Sequence, residues 1–235
     1  MTNSNLRTEG YASGDRSRQD ILDSALHLFA RDGINAVSMR SIAQAAGQAN
    51  VSATQYYFGG KRNLVSAILE NIYGHLAPIR KEALDKVVKE VAPNDPDYIR
   101  DVLNAGFAPH VALLAEGQWG QDAIKFTARL VWEAGPDVRK ELISTFNNDA
   151  NRIVELLQKA LPDVPAKTLQ LRFMFSLTNL IHGLADLEIL EDSPFGPLVN
   201  DLGQQASELA YSFMDYVVGG ITQAAPNNVT TQTAT

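Results

Sequence analysis

Residues 17–62 read SRQDILDSALHLFARDGINAVSMRSIAQAAGQANVSATQYYFGGKR, and their helix starts, stops and apolar spacing serve one arrangement. Ser17 followed by Asp20 resembles a capping box. Ile21, Ala25, Leu28 and Phe29 form an apolar stripe, and Gly33 stops a first helix expected from about Ser17 to Arg31. Ser38 is placed as the N-cap of a second helix that Gly47 ends, and Val37 before it can pack on Ile42 as a hydrophobic staple. Ala43, Ala45 and Ala46 keep that helix small-sided, so another helix can come close. A turn follows, and then a short third helix near Val51–Tyr57. It is too polar for a core helix, and aromatics and bases follow it. A helix-turn-helix presents its recognition helix to the major groove in this way.

In such a pair the first helix braces across the backbone while the N-terminal end of the second meets base edges. Asn50, Ser52, Ala53 and Gln55 occupy that end here. Gln and Asn can bond adenine in a bidentate way, and Ala can touch a thymine methyl. Tyr56 or Tyr57 can donate its hydroxyl to a phosphate, and Lys61 can reach the backbone. Ser38 and Arg40, in the first turn of the second helix, combine amide donors with a guanidinium for another phosphate. Each residue also has a plainer reading. Ser38 serves as a cap, Arg40 and Lys61 as solvated charges, Asn50 and Gln55 as surface residues, and Tyr57 or Phe58 as core. Arg16 and Arg18 fit phosphate contact or a flexible basic arm alike.

Charge permits a polyanionic partner only at this end. The net charge is −7. Residues 1–62 carry seven bases against five acids, giving +2, whereas residues 63–235 carry thirteen against twenty-two, giving −9,. There is no cysteine, which excludes disulfides, thiolate metal sites and cysteine nucleophiles,. The polar start is no signal peptide, and no segment approaches the ~20 apolar residues of a membrane span, so a cytoplasmic protein without membrane contact is expected. HExxH, facing Glu-x-x-His pairs, GxSxG and glycine-rich phosphate loops are all missing from the sequence,. His27, His75, His110 and His182 lack metal-ligand spacing. No catalytic residue, metal site or cofactor is expected.

Beyond residue 62 the periodicity stays helical. A long helix starts near Lys61 with Leu64, Ala67, Ile68, Ile72 and Leu76 as its stripe, and Pro78 is expected to kink or end it,. Further helices are expected at about 97–116, 121–134, 137–161, 165–191 and 200–219. The fold class is therefore all-α. The boundaries read as a disordered arm over 1–14, a three-helix head over 15–62, a larger helical domain over 63–222 and a disordered tail over 223–235.

The runs A-L-x-L-F-A-x-x-G at Ala25–Gly33, S-M-R-S-I-A-x-A-A-G at Ser38–Gly47 and Q-Y-Y-F-G-G-K-x-x-L at Gln55–Leu64 resemble the DNA-binding domain of the TetR family of transcriptional regulators. The stretch QANVSATQYY between Gly47 and Phe58 is one residue longer than the commonest family pattern, which shifts individual base contacts by up to a position. The resemblance implies an effector-binding and dimerising domain after the head. The last two long helices would then pair with their symmetry mates. Leu171, Met174, Phe175, Thr178 and Ile181 repeat at three and four on one, as do Leu202, Ala206, Leu209, Phe213, Tyr216 and Val217 on the other,. These stripes also suit the monomer's own core.

A pocket among the middle helices would draw on Phe107, His110, Trp119, Phe126, Trp132, Phe146, Phe173, Asn179 and His182. Their aromatic content points to a mainly hydrophobic effector, although most aromatics at helical spacing are core. The expectation is a homodimeric regulator, a repressor, reading a palindromic operator in double-stranded DNA and released by a small molecule. The competing readings are an adaptor that keeps the three-helix head without binding DNA, and an all-α enzyme.

Overall fold

The computed structural model describes residues 5–48, 50, 52–198 and 202–224, and among these there is no strand. In chain order the helices are α1 (Asn5–Asp32), α2 (Met39–Ala45), α3 (Ser52–Phe58), α4 (Lys61–Glu90), α5 (Tyr98–Ala112), α6 (Gly117–Glu133), α7 (Pro136–Ala160), α8 (Ala166–Ala185), α9 (Glu188–Glu191) and α10 (Leu202–Thr222). A 3₁₀ turn over Leu113–Glu116 joins α5 to α6. The all-α class stands.

Several boundaries differ from the expected ones, each for a local reason. α1 starts at Asn5, so the arm expected to be disordered over 1–14 is helical from Asn5 onward and Ser17 caps nothing. No proline interrupts that run; Gly10 and Gly14 weaken a helix by about 1 kcal/mol each without stopping it. Pro78 lies inside α4, which continues to Glu90. The proline ring deprives the carbonyl of Gly74, one turn back, of its donor. Both residues face solvent, where water takes the freed carbonyl. The helix expected over 165–191 ends at Ala185 and resumes as the single turn of α9. α6 begins four residues early because Gly120 lets the 3₁₀ turn close: a Cβ there would sit 1.8 Å from the Leu113 carbonyl oxygen. The tail beyond Ala224 lies outside the described residues.

The chain divides into two compact units. The first comprises residues 1–79, 109–148 and 181–186. Its core is the apolar face of α1 (Ile21, Leu22, Ala25, Leu26 and Phe29) closed by Ile42 and Ala43 of α2, Phe58 of α3 and Leu64, Val65 and Ile68 of α4. Phe29 stacks on Phe126 of α6 with ring centroids 6.2 Å apart, which ties α1 to α6,. Val37 and Ile42 are both buried, as the staple requires.

The second unit comprises residues 80–108, 149–180 and 187–235. Leu84, Tyr98, Leu103, Ile153, Leu157, Leu169 and Val217 line its interior, with Phe107 and Phe173 stacked at 5.6 Å. Arg80 is fully buried there, paired with Asp149 and donating Nε–H to the Gly106 carbonyl at 3.3 Å. A buried guanidinium needs such partners.

Candidate nucleic-acid interface

The second helix of the head is fixed at its start. Ser38 Oγ accepts the Ser41 backbone N–H at 3.1 Å, and Ser41 Oγ accepts the Ser38 N–H at the same distance, a reciprocal capping box,. Ser41 plays the part that Glu or Gln usually takes. Gly47, at φ +65°, lets the chain turn out of α2,. Asn50 Oδ1 then accepts the Ser52 N–H at 3.1 Å, a local side-chain bond at the start of α3,.

Within α3 the inward and outward faces separate cleanly. Thr54 and Phe58 are buried, and Arg18 of α1 lies over the Phe58 ring at 5.2 Å,. This settles the choice between Tyr57 and Phe58: Phe58 plugs the three-helix cluster. Asn50, Ser52, Gln55 and Tyr56 are exposed, Tyr56 to 84%, and Ala53 and Tyr57 are half-buried. Tyr56 and Tyr57 meet edge to face at 5.2 Å. A tyrosine so exposed beside three polar side chains forms a surface made for contact rather than for packing. Arg40 is also exposed.

Two of the expected contacts are partly committed elsewhere. Gln55 Nε2 donates to the Gly59 carbonyl at 2.7 Å, leaving its second N–H and its oxygen available,. Lys61 Nζ donates to the carbonyls of Ile34 (2.7 Å) and Asn35 (3.3 Å), so it braces the turn between α1 and α2 with two of its three protons.

That same turn is gripped from α6, by residues that sequence reading does not single out. Arg129 donates Nε–H to the Ala30 carbonyl at 3.0 Å, Nη2–H to the Arg31 carbonyl at 3.2 Å and Nη1–H to Glu133 at 2.9 Å. It therefore caps the C-terminus of α1, where free carbonyls favour a cation. Glu133 accepts the Ile34 N–H at 2.6 Å. Burial works to raise the Glu133 carboxyl, but its bonds to Arg129, Ile34 and Asn35 hold it below the ordinary glutamate range,. Gly33, at φ +91°, passes so close that a Cβ would lie 2.8 Å from Glu133 Oε2. A second link joins His27 Nδ1 to the buried Asp122 at 2.9 Å, and Gln118 also donates to Asp122. The signal for these residues was their i, i+4 spacing on α6, which is too common to notice without the fold.

The residues expected to line one interior pocket are dispersed. Phe107 and Phe173 stack on each other in the second unit. In the first unit Phe126 packs on Phe29, Phe146 on Tyr73 and Trp119 on His75. His110 borders a cavity of about 10 Å³ lined by Ile72, Tyr73, Leu76 and Leu113 among others, room for a single water,. Two of these residues lie on the surface rather than in an interior pocket. Trp132 is 77% exposed because it sits in the last turn of α6 on the stripe opposite the core. Asn179 lies on the outer face of α8, where it donates to the Tyr216 hydroxyl at 3.4 Å. His182 is half-buried and, like Trp132, lines an open groove.

Residues 21–68 match the family described as bacterial regulatory proteins, tetR family, and residues 104–220 match the tetracyclin repressor-like C-terminal domain. No curated protein matches. Among solved structures, the chain is similar to the TetR-family regulator PfmR of Thermus thermophilus (19% identity, 86% of this chain and 99% of that one, TM-score 0.57). It is also similar to FadR of Bacillus halodurans, a fatty acid degradation regulator (16%, 87% and 96%, TM-score 0.60). FadR of Bacillus subtilis, solved with stearoyl-CoA, aligns at 13% identity over 86% and 98% of the two chains with a TM-score of 0.59. An outward-facing recognition helix and matches at both ends of the chain point the same way: the protein belongs to the TetR family of DNA-binding transcriptional regulators.

Proposed function

We propose that the protein is a homodimeric repressor that reads a palindromic operator and lets go of it when a small, largely hydrophobic effector binds. The observation carrying the DNA half is the exposed row Asn50, Ser52, Gln55 and Tyr56 on a helix whose other face, Thr54 and Phe58, is locked into the head. Base-edge contact falls to Asn50, Ser52, Ala53 and Gln55, and phosphate contact to Ser38, Arg40, Tyr56, Tyr57 and the remaining proton of Lys61. In support of a dimer, α8 and α10 leave Leu171, Met174, Phe175, Tyr211 and Tyr216 exposed together in the second unit. A two-fold pair of heads suits a palindrome.

In support of an effector, the cavity beside His110 is apolar, and one structural neighbour was solved with an acyl-CoA. That cavity admits a ligand only when the helices around it part, so the effector selects an opened form. The grip of Arg129 and Glu133 on the α1–α2 turn is the route by which a shift of α6 reaches the head.

Electrophoretic mobility shifts on DNA fragments flanking the protein's own gene test the reading. Sequence-specific retardation by a dimer is the expected outcome. A folded dimer that binds no fragment at low salt would instead favour the adaptor reading, which the modest +2 charge of residues 1–62 keeps open.

A further inference from the structure

The first unit contains an open groove of about 740 Å³ between the C-terminal half of α1, the length of α6 and the end of α8, the size of a small-molecule site. α6 supplies one wall as a continuous stripe, with Gln118, Asp122, Lys125, Arg129 and Trp132 recurring at steps of three and four,. Ala30, Ala128 and Ala185 contribute only methyl groups to the lining, which leaves room for a flat molecule. Trp132 adds a largely exposed aromatic face,.

The charges in the groove are unevenly committed. Asp122 is held by His27 and Gln118, Glu133 by Arg129 and the turn, and Arg31 by Asp32. Among the described residues Lys125 has no such counter-ion, and Asp186, the remaining acid of the lining, is exposed in the turn that follows α8 rather than on the α6 stripe.

We propose that this groove binds a small aromatic carboxylate, with the ring against Trp132 and the carboxylate between Arg129 and Lys125. Lys125 and Trp132 are about 10 Å apart along the helix axis with Arg129 between them. A ring beside Trp132 therefore places a directly attached carboxylate one turn back, at Arg129 and within reach of the Lys125 ammonium. This site is polar and open, unlike the apolar cavity beside His110, and does not depend on it. Its occupancy has a consequence for the head. The ligand's carboxylate competes with Glu133 for the Arg129 guanidinium, which slackens the hold on Ile34 and on the end of α1. Binding stands apart from the DNA reading, whereas the effect on the operator rests on it.

Trp119→Phe leaves Trp132 as the chain's one tryptophan, and its emission can be followed in the full-length protein during titration with benzoate and with the neutral benzamide. The expected result is a saturable change with benzoate and binding at least about ten-fold weaker for benzamide, the loss of one charge-assisted contact. Adding Lys125→Glu on the exposed face of α6 should weaken benzoate by at least the same about ten-fold factor, with an unchanged melting curve. Equal affinity for the two probes, no saturable response, or indifference to Lys125→Glu overturns the site. In a mobility-shift assay, saturating benzoate should weaken operator binding by the Trp119→Phe protein and spare the Lys125→Glu form. Unchanged retardation in the former overturns the coupling alone. A protein that binds benzoate and no DNA would retain the site while refuting the regulator reading.

Discussion

Ser38 closes a cap and, in the proposed reading, also meets a phosphate, and substitutions around it separate the two. Its hydroxyl closes the capping box with Ser41, so Ser38→Ala should cost about 1 kcal/mol of stability, read as a lowered denaturation midpoint. Arg40 makes no such internal bond among the described residues. Arg40→Ala should leave the melting curve in place while weakening all DNA sequences alike, lowering the slope of log affinity against log salt by about 1. Gln55→Ala should behave differently again, costing about 1–3 kcal/mol at the operator and relaxing the preference at one base pair. Competition between operator and scrambled duplexes distinguishes the two patterns. Ser38, Val37 and Ile42 were legible in the sequence because a cap and a staple are made by neighbours along the chain. The tether of Lys61 to the Ile34 and Asn35 carbonyls was not, since 26 and 27 residues separate the partners. Nothing local marks a lysine as a brace rather than a free charge.

At the level of helices, boundaries marked by a glycine or a cap were the legible ones. Gly33 and Gly47 end α1 and α2 where positive φ is needed, whereas the start of α1 and the passage of α4 through Pro78 turn on the absence of a competing structure, which composition does not display. The clamp between α6 and the α1–α2 turn shows what such boundaries are for. Gly33 takes a conformation other residues resist, and it sits against Glu133. Gly33→Ala should therefore cost more than the ~1 kcal/mol typical of strained backbone alone, and it should lower operator affinity as well as thermal stability. Glu133 adds a pH dependence. Its carboxyl is depressed in the folded protein, so its contribution is complete above the ordinary glutamate range and fades as pH falls through the lower folded value. Acid should thus loosen the turn first, with Glu133→Gln removing that part of the acid sensitivity. Amide exchange at Ile34 as a function of pH measures it. An Ile34 amide equally protected in Glu133→Gln at every pH would show that the carboxylate does not hold the turn.

Across the whole chain, the hydrophobic stripes announced all-α architecture but left open which side of each would be covered. On α8 the answer is both. Leu169, Phe173, Leu177 and Leu180 are buried in the second unit, while Leu171, Met174 and Phe175 stay exposed between them. α10 repeats the division, with Met214, Val217 and Ile221 inside and Tyr211 and Tyr216 outside. Arg172 of α8, donating to the Ile221 carbonyl at 2.9 Å, and the Asn179–Tyr216 bond pin the two helices side by side. The exposed members of both helices are large apolar side chains facing solvent within one unit,. In the proposed dimer a second copy covers these side chains, and under two-fold symmetry each is buried twice. Burying a large apolar side chain contributes about 1.5–3 kcal/mol. Phe175→Glu forfeits that twice and places two carboxylates near the axis. It should give a folded monomer in sedimentation equilibrium, since Phe175 is largely exposed on the single chain. That monomer should lose operator binding, because one head reaches only half of a palindrome, while its far-ultraviolet spectrum stays unchanged. A Phe175→Glu protein that remains dimeric would move the assembly surface off α8, and with it the spacing at which the two recognition helices meet the duplex.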